Sequence, residues 1–199
     1  MGDKMFDWLY GVIASPVGTL NEIARERPAG WGLLVYIGIA LLSAVAAIFE
    51  PGTMASMEEI MDQFPFFIPL SGLFVAGLFF SVVMLLIFSF VLHLFARLFG
   101  GRGGYWNFFS AYTFANFPGI FNVPATLIAT VLGGFGSVLS GLVGFVLSIW
   151  ILVLQVIAIR ESHGLTTGMS ILAYFVSFFI IIAIPVVIII AVVVAIIAS

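Results

Sequence analysis

His93 and Arg97 lie one helical turn apart, and the chain then reads Gly100-Gly101-Arg102-Gly103-Gly104 before Tyr105 and Trp106. A second polar group, Arg160-Glu161-Ser162-His163, follows Gln155. Guanidinium groups bind phosphates and carboxylates in fork geometry, and a glycine-rich loop can turn its backbone N–H groups toward an anion. Arg97, Arg102, Tyr105, Arg160, Glu161 and His163 therefore form a candidate recognition surface for acidic lipid headgroups or for acidic residues of a partner. Glu161 would pair with one arginine and hold the loops in register. The loop lacks the Lys-Ser/Thr ending of a phosphate-binding loop and follows no strand pattern, so no nucleotide site is expected. His93 and His163 have no acidic partner at a fixed spacing, so no metal site is expected.

Two further patterns lie inside long apolar stretches. Thr113, Asn116, Pro118 and Asn122 mark the least hydrophobic stretch. Proline removes a backbone donor and orphans an upstream carbonyl. In lipid, that carbonyl must be satisfied by side chains, neighbouring helices or water. Two readings stay open here, a kink packed inside a bundle and a broken helix lining a polar cavity. Gly136, Ser140, Gly144 and Ser148 repeat at a spacing of four, with Ser137 and Gly141 beside them. Small residues so spaced let helix backbones approach closely, within the chain or between copies. Met54, Met57 and Met61 share one helical face, Glu58 and Asp62 another, as in a short interfacial helix. No nucleophile–base pair stands out, and no Asp or Glu lies deep in the apolar stretches. Enzymatic activity and a bound cofactor are therefore not expected.

The elements that must position these residues follow from composition. The 199 residues are 63% hydrophobic and 8% charged, with no cysteine and a net charge of −3. Soluble domains run near 45–50% apolar and 25% charged, so the chain is expected to be an integral membrane protein without disulfides. The charge offers no footprint for nucleic acid. A spanning helix needs about 20 apolar residues, and five stretches qualify: 31–49, 66–98, 105–132, 136–159 and 170–199. Phe64-Pro65-Phe66-Phe67 would start the second stretch in the interface, and Gly133-Gly134-Phe135-Gly136 would be the turn between the third and fourth. Lys4, Arg25, Arg27, Arg97, Arg102 and Arg160 then fall on one side, and Glu50, Glu58, Glu59 and Asp62 on the other. Basic residues mark the cytoplasmic side. The expected fold is an all-α polytopic bundle of five transmembrane helices, N-terminus cytoplasmic and C-terminus outside. Residues 1–30 would form a separate cytoplasmic arm ahead of a membrane domain over 31–199. Within the arm, Ser15-Pro16 starts a helix whose face of Val17, Leu20, Ile23 and Ala24 would lie along the headgroups. No cleavable signal peptide is expected, because the first apolar stretch is short and interrupted by Asp7.

The order of these segments resembles a known family. The Ser15-Pro16 helix and the arm ending Arg25-Glu26-Arg27-Pro28 come first. Then come His93-Leu94-Phe95-Ala96-Arg97-Leu98-Phe99-Gly100-Gly101, Tyr105-Trp106, the Tyr112…Pro118 stretch, and Ile159-Arg160-Glu161-Ser162-His163-Gly164-Leu165-Thr166-Thr167-Gly168. This is similar to prokaryotic members of the Yip (Ypt-interacting protein) family of five-span membrane proteins, over nearly the whole chain. The resemblance implies a helical bundle with no catalytic residues. Its eukaryotic members bind Rab-type GTPases and act in vesicle traffic, and some bacterial members look like accessory subunits for exporters of the ABC type. This chain lacks the long cytosolic N-terminal domain and acidic motif of the eukaryotic proteins, which implies a prokaryotic plasma membrane. The expected role is a non-enzymatic scaffold or adaptor that meets membrane lipids and a membrane-protein partner or a second copy. The competing class is a small transporter, channel or lipid-handling protein built on the broken third stretch.

Overall fold

The computed structural model describes residues 2–50, 53–63 and 70–198, and among them every regular element is helical. The order is α1 (Gly2–Ala14), α2 (Pro16–Glu26), α3 (Ala29–Ala47), α4 (Thr53–Asp62), α5 (Leu70–Leu98), α6 (Tyr105–Ala115), a 3₁₀ turn (Phe117–Phe121), α7 (Asn122–His163) and α8 (Thr167–Ala198). The Phe64–Phe67 start and the side chains of Met54 and Met61 lie outside the described residues. Four stretches are long and apolar enough to cross a membrane: Ala29–Ala47, Ser71–Leu98, Tyr105–His163 and Thr167–Ile196.

The third of these has 59 residues and would extend about 90 Å as one straight helix, about three times the hydrocarbon thickness. It is not straight. Pro118 sits in the 3₁₀ turn, where its missing N–H is tolerated. Gly133 has φ +60° and ψ −138°, a conformation that a side chain would strain. From that point the chain returns along itself. Gln155 reaches back to Asn116, Ile151 to Gly119, Gly144 to Asn122 and Gly136 to Ala129. These pairs run in antiparallel register about a reversal at Gly133, where the glycine-rich turn was expected. Gly136 lies inside the returning helix rather than in the turn.

Burial is uneven along the bundle. One core joins Trp8, Val12, Leu20, Ile23, Phe108, Phe109, Phe114, Leu154 and Ile159 with the end of α5 at Leu92 and Ala96. Elsewhere large apolar side chains face outward, among them Phe79, Val131, Phe145 and Ile196. Such extensive exposed apolar surface suits lipid rather than water.

The N-terminal arm departs from expectation. Ser15 precedes Pro16 as anticipated, but its side chain makes no cap. Instead the Thr19 hydroxyl donates to the Ser15 carbonyl at 3.0 Å. Arg27 closes α2 in the left-handed region, its N–H donating to the Ile23 carbonyl at 2.9 Å. Leu20, Ile23 and Ala24 are buried in the common core against α6 and α7, not spread on headgroups. Protein offers that face large, close-packed aromatic partners, so α2 packs into the common core. Val17 alone of the expected stripe stays exposed, at 44%.

Candidate functional site

The residues singled out at the polar ends of the spans do converge. The loop after α5 packs against the last turn of α7. The Arg102 N–H donates to the His163 carbonyl at 3.0 Å, and the Gly101 N–H donates to the Ala96 carbonyl at 2.9 Å. A Cβ on Gly101 would lie 2.7 Å from the Ala96 carbonyl oxygen and 2.8 Å from the His163 Cβ, and one on Gly103 would collide with the Ser162 carbonyl. These two glycines therefore serve a close approach of backbone to backbone. The amides of Gly100, Gly101 and Arg102 all point at protein carbonyls. Those three donors are therefore engaged within the protein and are not turned toward an anion.

His163 is buried, with 3% of its surface exposed, and so is not part of an outward-facing surface. Its Nε2 lies 2.9 Å from His93 Nδ1, one ring donating to the other. Its Nδ1 lies 3.0 Å from the Ser162 hydroxyl and 3.2 Å from the Ile159 carbonyl oxygen. Phe108 packs beside the His163 ring and Tyr105 beside the His93 ring. The Tyr105 hydroxyl shares a 2.9 Å hydrogen bond with Ser89. The two histidines are 70 residues apart in the chain, and neither spacing nor composition signals their meeting. Among the described residues no group of three His, Asp or Glu stands together as a metal site requires.

The charged groups divide into paired and unpaired. Arg160 contacts Glu161 at 2.8 Å through both Nε and Nη2, and its Nη1 donates to Thr167 at 3.2 Å. Glu161 also accepts from Asn21 Nδ2 at 2.8 Å, which ties α2 to α7. Asn107 Nδ2 donates to the Ala24 carbonyl at 2.9 Å, a second tie to α2. Lys4 pairs with Glu26 and lies 3.5 Å from Glu22. The hydrogen bond to Glu26 raises the Lys4 ammonium above its ordinary range. Arg25, Arg27, Arg97 and Arg102 make no ion pair or side-chain hydrogen bond among the described residues. All four are exposed. The result is an end where Glu22, Glu26 and Glu161 serve internal joints while four guanidinium groups face outward.

A family model described as Yip1 domain matches residues 10–197. The chain belongs to the Yip1 domain family. Its apolar helices and that membership make it a multi-pass membrane protein. The family is one of membrane-trafficking-related proteins without enzymatic activity. A search of curated proteins returns no match, and neither does a search of solved structures.

In this Yip1-domain protein the residues near the proline break are occupied internally. Thr113 is buried, and its hydroxyl lies 2.8 Å from the Ser110 carbonyl oxygen and 3.0 Å from that of Phe109. Asn116 donates to the Tyr112 carbonyl at 2.7 Å and accepts from Gln155 at 3.1 Å, while Tyr174 donates to Gln155 Oε1 at 3.0 Å. This Tyr174–Gln155–Asn116 chain joins α8, α7 and the break. Gln155 was legible only as part of the loop cluster, and Tyr174 carried no signal. Pro118 is buried and Asn122 half-buried, its Oδ1 opposite Gly144. Along the small-residue stripe, Gly136 packs on Ala129, Ser140 and Gly144 are half-buried, and Ser148 is exposed with its hydroxyl donating to the Gly144 carbonyl at 2.8 Å. At Gly136 and Gly144 the stripe meets the other arm of its own hairpin.

Proposed function

We propose that this Yip1-domain protein is a non-enzymatic scaffold or adaptor of a prokaryotic plasma membrane. The Gly133 reversal supports counting the Tyr105–His163 stretch as two passes. The bundle then has five, with the basic end cytoplasmic by the positive-inside rule and the C-terminus outside. The working surface is the basic end. Arg97 and Arg102 carry the reading, because both are exposed and neither has a counter-ion among the described residues. They bind anionic lipid headgroups or acidic residues of a membrane-protein partner. Arg160 and Glu161 brace the loops from within, and the neighbouring Arg25 and Arg27 extend the positive field.

The test is gentle solubilisation from native membranes, with co-purifying proteins and lipids identified by mass spectrometry. The wild type is compared with the Arg97→Gln/Arg102→Gln variant. A partner or anionic lipid held by the wild type and lost from the folded variant is the expected result. Unchanged association sinks the proposal. A transporter built on Thr113, Asn116, Pro118 and Asn122 draws less support, since the polar groups of Thr113 and Asn116 are satisfied within the bundle as a packed kink requires.

A further inference from the structure

A cavity of about 200 Å³ lies between α5, α6, α7 and α8, away from the basic surface and independent of the adaptor reading. Its apolar lining includes Phe88, Leu92 and Phe178, and its polar lining is Tyr112, Gln155 and Tyr174. No charged residue borders it. Phe178 is the most exposed of the lining residues, at 43%, so the mouth opens on the apolar flank of the bundle rather than on water.

The polar groups differ in what they have left to offer. The Tyr174 hydroxyl spends its hydrogen on Gln155, and Gln155 donates to Asn116. Tyr112 is different. Only 7% of its surface is exposed, and no group among the described residues hydrogen-bonds its hydroxyl. No fully sealed side-chain oxygen or nitrogen among the described residues lacks a partner. The Tyr112 hydroxyl therefore borders open space, and the open space it lines is this cavity. A buried hydroxyl without an acceptor is costly, and a molecule that brings one relieves that cost.

We propose that the cavity is a binding site for a neutral, apolar molecule bearing a carbonyl, which accepts the Tyr112 hydroxyl hydrogen and lays its apolar part against Phe88 and Phe178. The absence of lining charge selects against ions, and the single free donor selects for one acceptor. The carbonyl has two natural sources, the acyl ester of a bilayer lipid and a free carbonyl-bearing hydrophobe dissolved in the bilayer. The volume is smaller than that of a drug-sized pocket, so it houses a head or one short chain segment rather than a whole lipid.

Benzophenone serves as the probe, since its carbonyl is an acceptor between two aromatic rings and cross-links to neighbouring C–H bonds under ultraviolet light. The full-length protein is labelled in nanodiscs, and cross-linked peptides are mapped by mass spectrometry. Saturable labelling centred on the segments around Leu92, Tyr112 and Phe178 is expected. Tyr112→Phe removes one hydrogen bond and should weaken labelling about two- to tenfold. Ile181→Trp fills the cavity from α8 and should abolish labelling, which keeps the test open if Tyr112→Phe disturbs folding. Stronger labelling in ether-lipid than in ester-lipid nanodiscs identifies the lipid ester as the competitor. Equal labelling in the two identifies a free hydrophobe. Labelling spread over the lipid-facing helices and unmoved by both variants overturns the proposal.

Discussion

Gln155→Leu tests whether the polar chain inside the bundle holds its helices together. Gln155 is 7% exposed and links two partners, donating to Asn116 at 3.1 Å and accepting from Tyr174 at 3.0 Å. Leucine matches the size and apolar body of glutamine but can make neither bond. Interhelical hydrogen bonds in membrane bundles average about 0.6 kcal/mol each and reach about 1.7 kcal/mol. Two lost bonds therefore cost about 1 to 3 kcal/mol. Part of this is recovered, because Asn116 keeps its bond to the Tyr112 carbonyl. At about 2–4 °C per kcal/mol for a chain of this size, the midpoint should fall by about 2 to 10 °C. The assay is thermal unfolding in mild detergent, followed by circular dichroism at several protein concentrations. Tyr174→Phe and the double variant complete a cycle, and the coupling between the two positions should be about 0.5 to 1.5 kcal/mol. Strict additivity, with no loss of midpoint in Gln155→Leu, would refute the claim that this chain bridges α7 and α8.

The other expectations follow from separate joints. Gly133→Ala should cost about 1–3 kcal/mol because its φ of +60° with ψ of −138° is a backbone that side chains avoid, whereas Gly134→Ala, with ordinary φ and open space around it, should be neutral by the same thermal assay. Gly103→Val should abolish monodisperse protein on size exclusion, since even a Cβ there meets the Ser162 carbonyl, and a normal elution profile would show that the loop does not pack on α7. Asn21→Ala should loosen α2 locally, read as faster hydrogen exchange over residues 16–26 with little change in α8. The chain has no cysteine, so single cysteines at Arg102, exposed in the loop after α5, and at Gly134 can be labelled with an impermeant maleimide from either side of the membrane. Opposite accessibility supports the two-pass hairpin and same-side accessibility removes it.

Much of the architecture was legible because lipid makes sequence rules strict. Long uncharged stretches mark helices, and Pro118 and the glycines near residue 133 mark the places where they break. What escaped was long-range. The meeting of His93 with His163, and of Asn21 with Glu161, depends on which helix ends abut, and no local pattern encodes it. The α2 helix shows the same difficulty in another form. An apolar stripe of Leu20, Ile23 and Ala24 fits headgroups or protein equally well, and only the aromatic residues of α6 decide between them. The glycine-rich loop was ambiguous for a related reason. Its composition allows an anion cradle, but Gly101 and Gly103 are spent on contact with α7.

The joint between Asn21 and Glu161 spans 140 residues of chain, and that distance has a temporal meaning. At a synthesis rate of about 5–20 residues per second, α2 emerges about 7 to 28 seconds before the helix end it docks on. During that interval α1 and then α6 are the parts of the common core already made, and the α7 side of α2 is still uncovered. The stripe is therefore completed in stages, by α1 and α6 first and by the end of α7 last. The last turn of α7 is the final piece of that joint, because Asn21 reaches Glu161 only once it has been made.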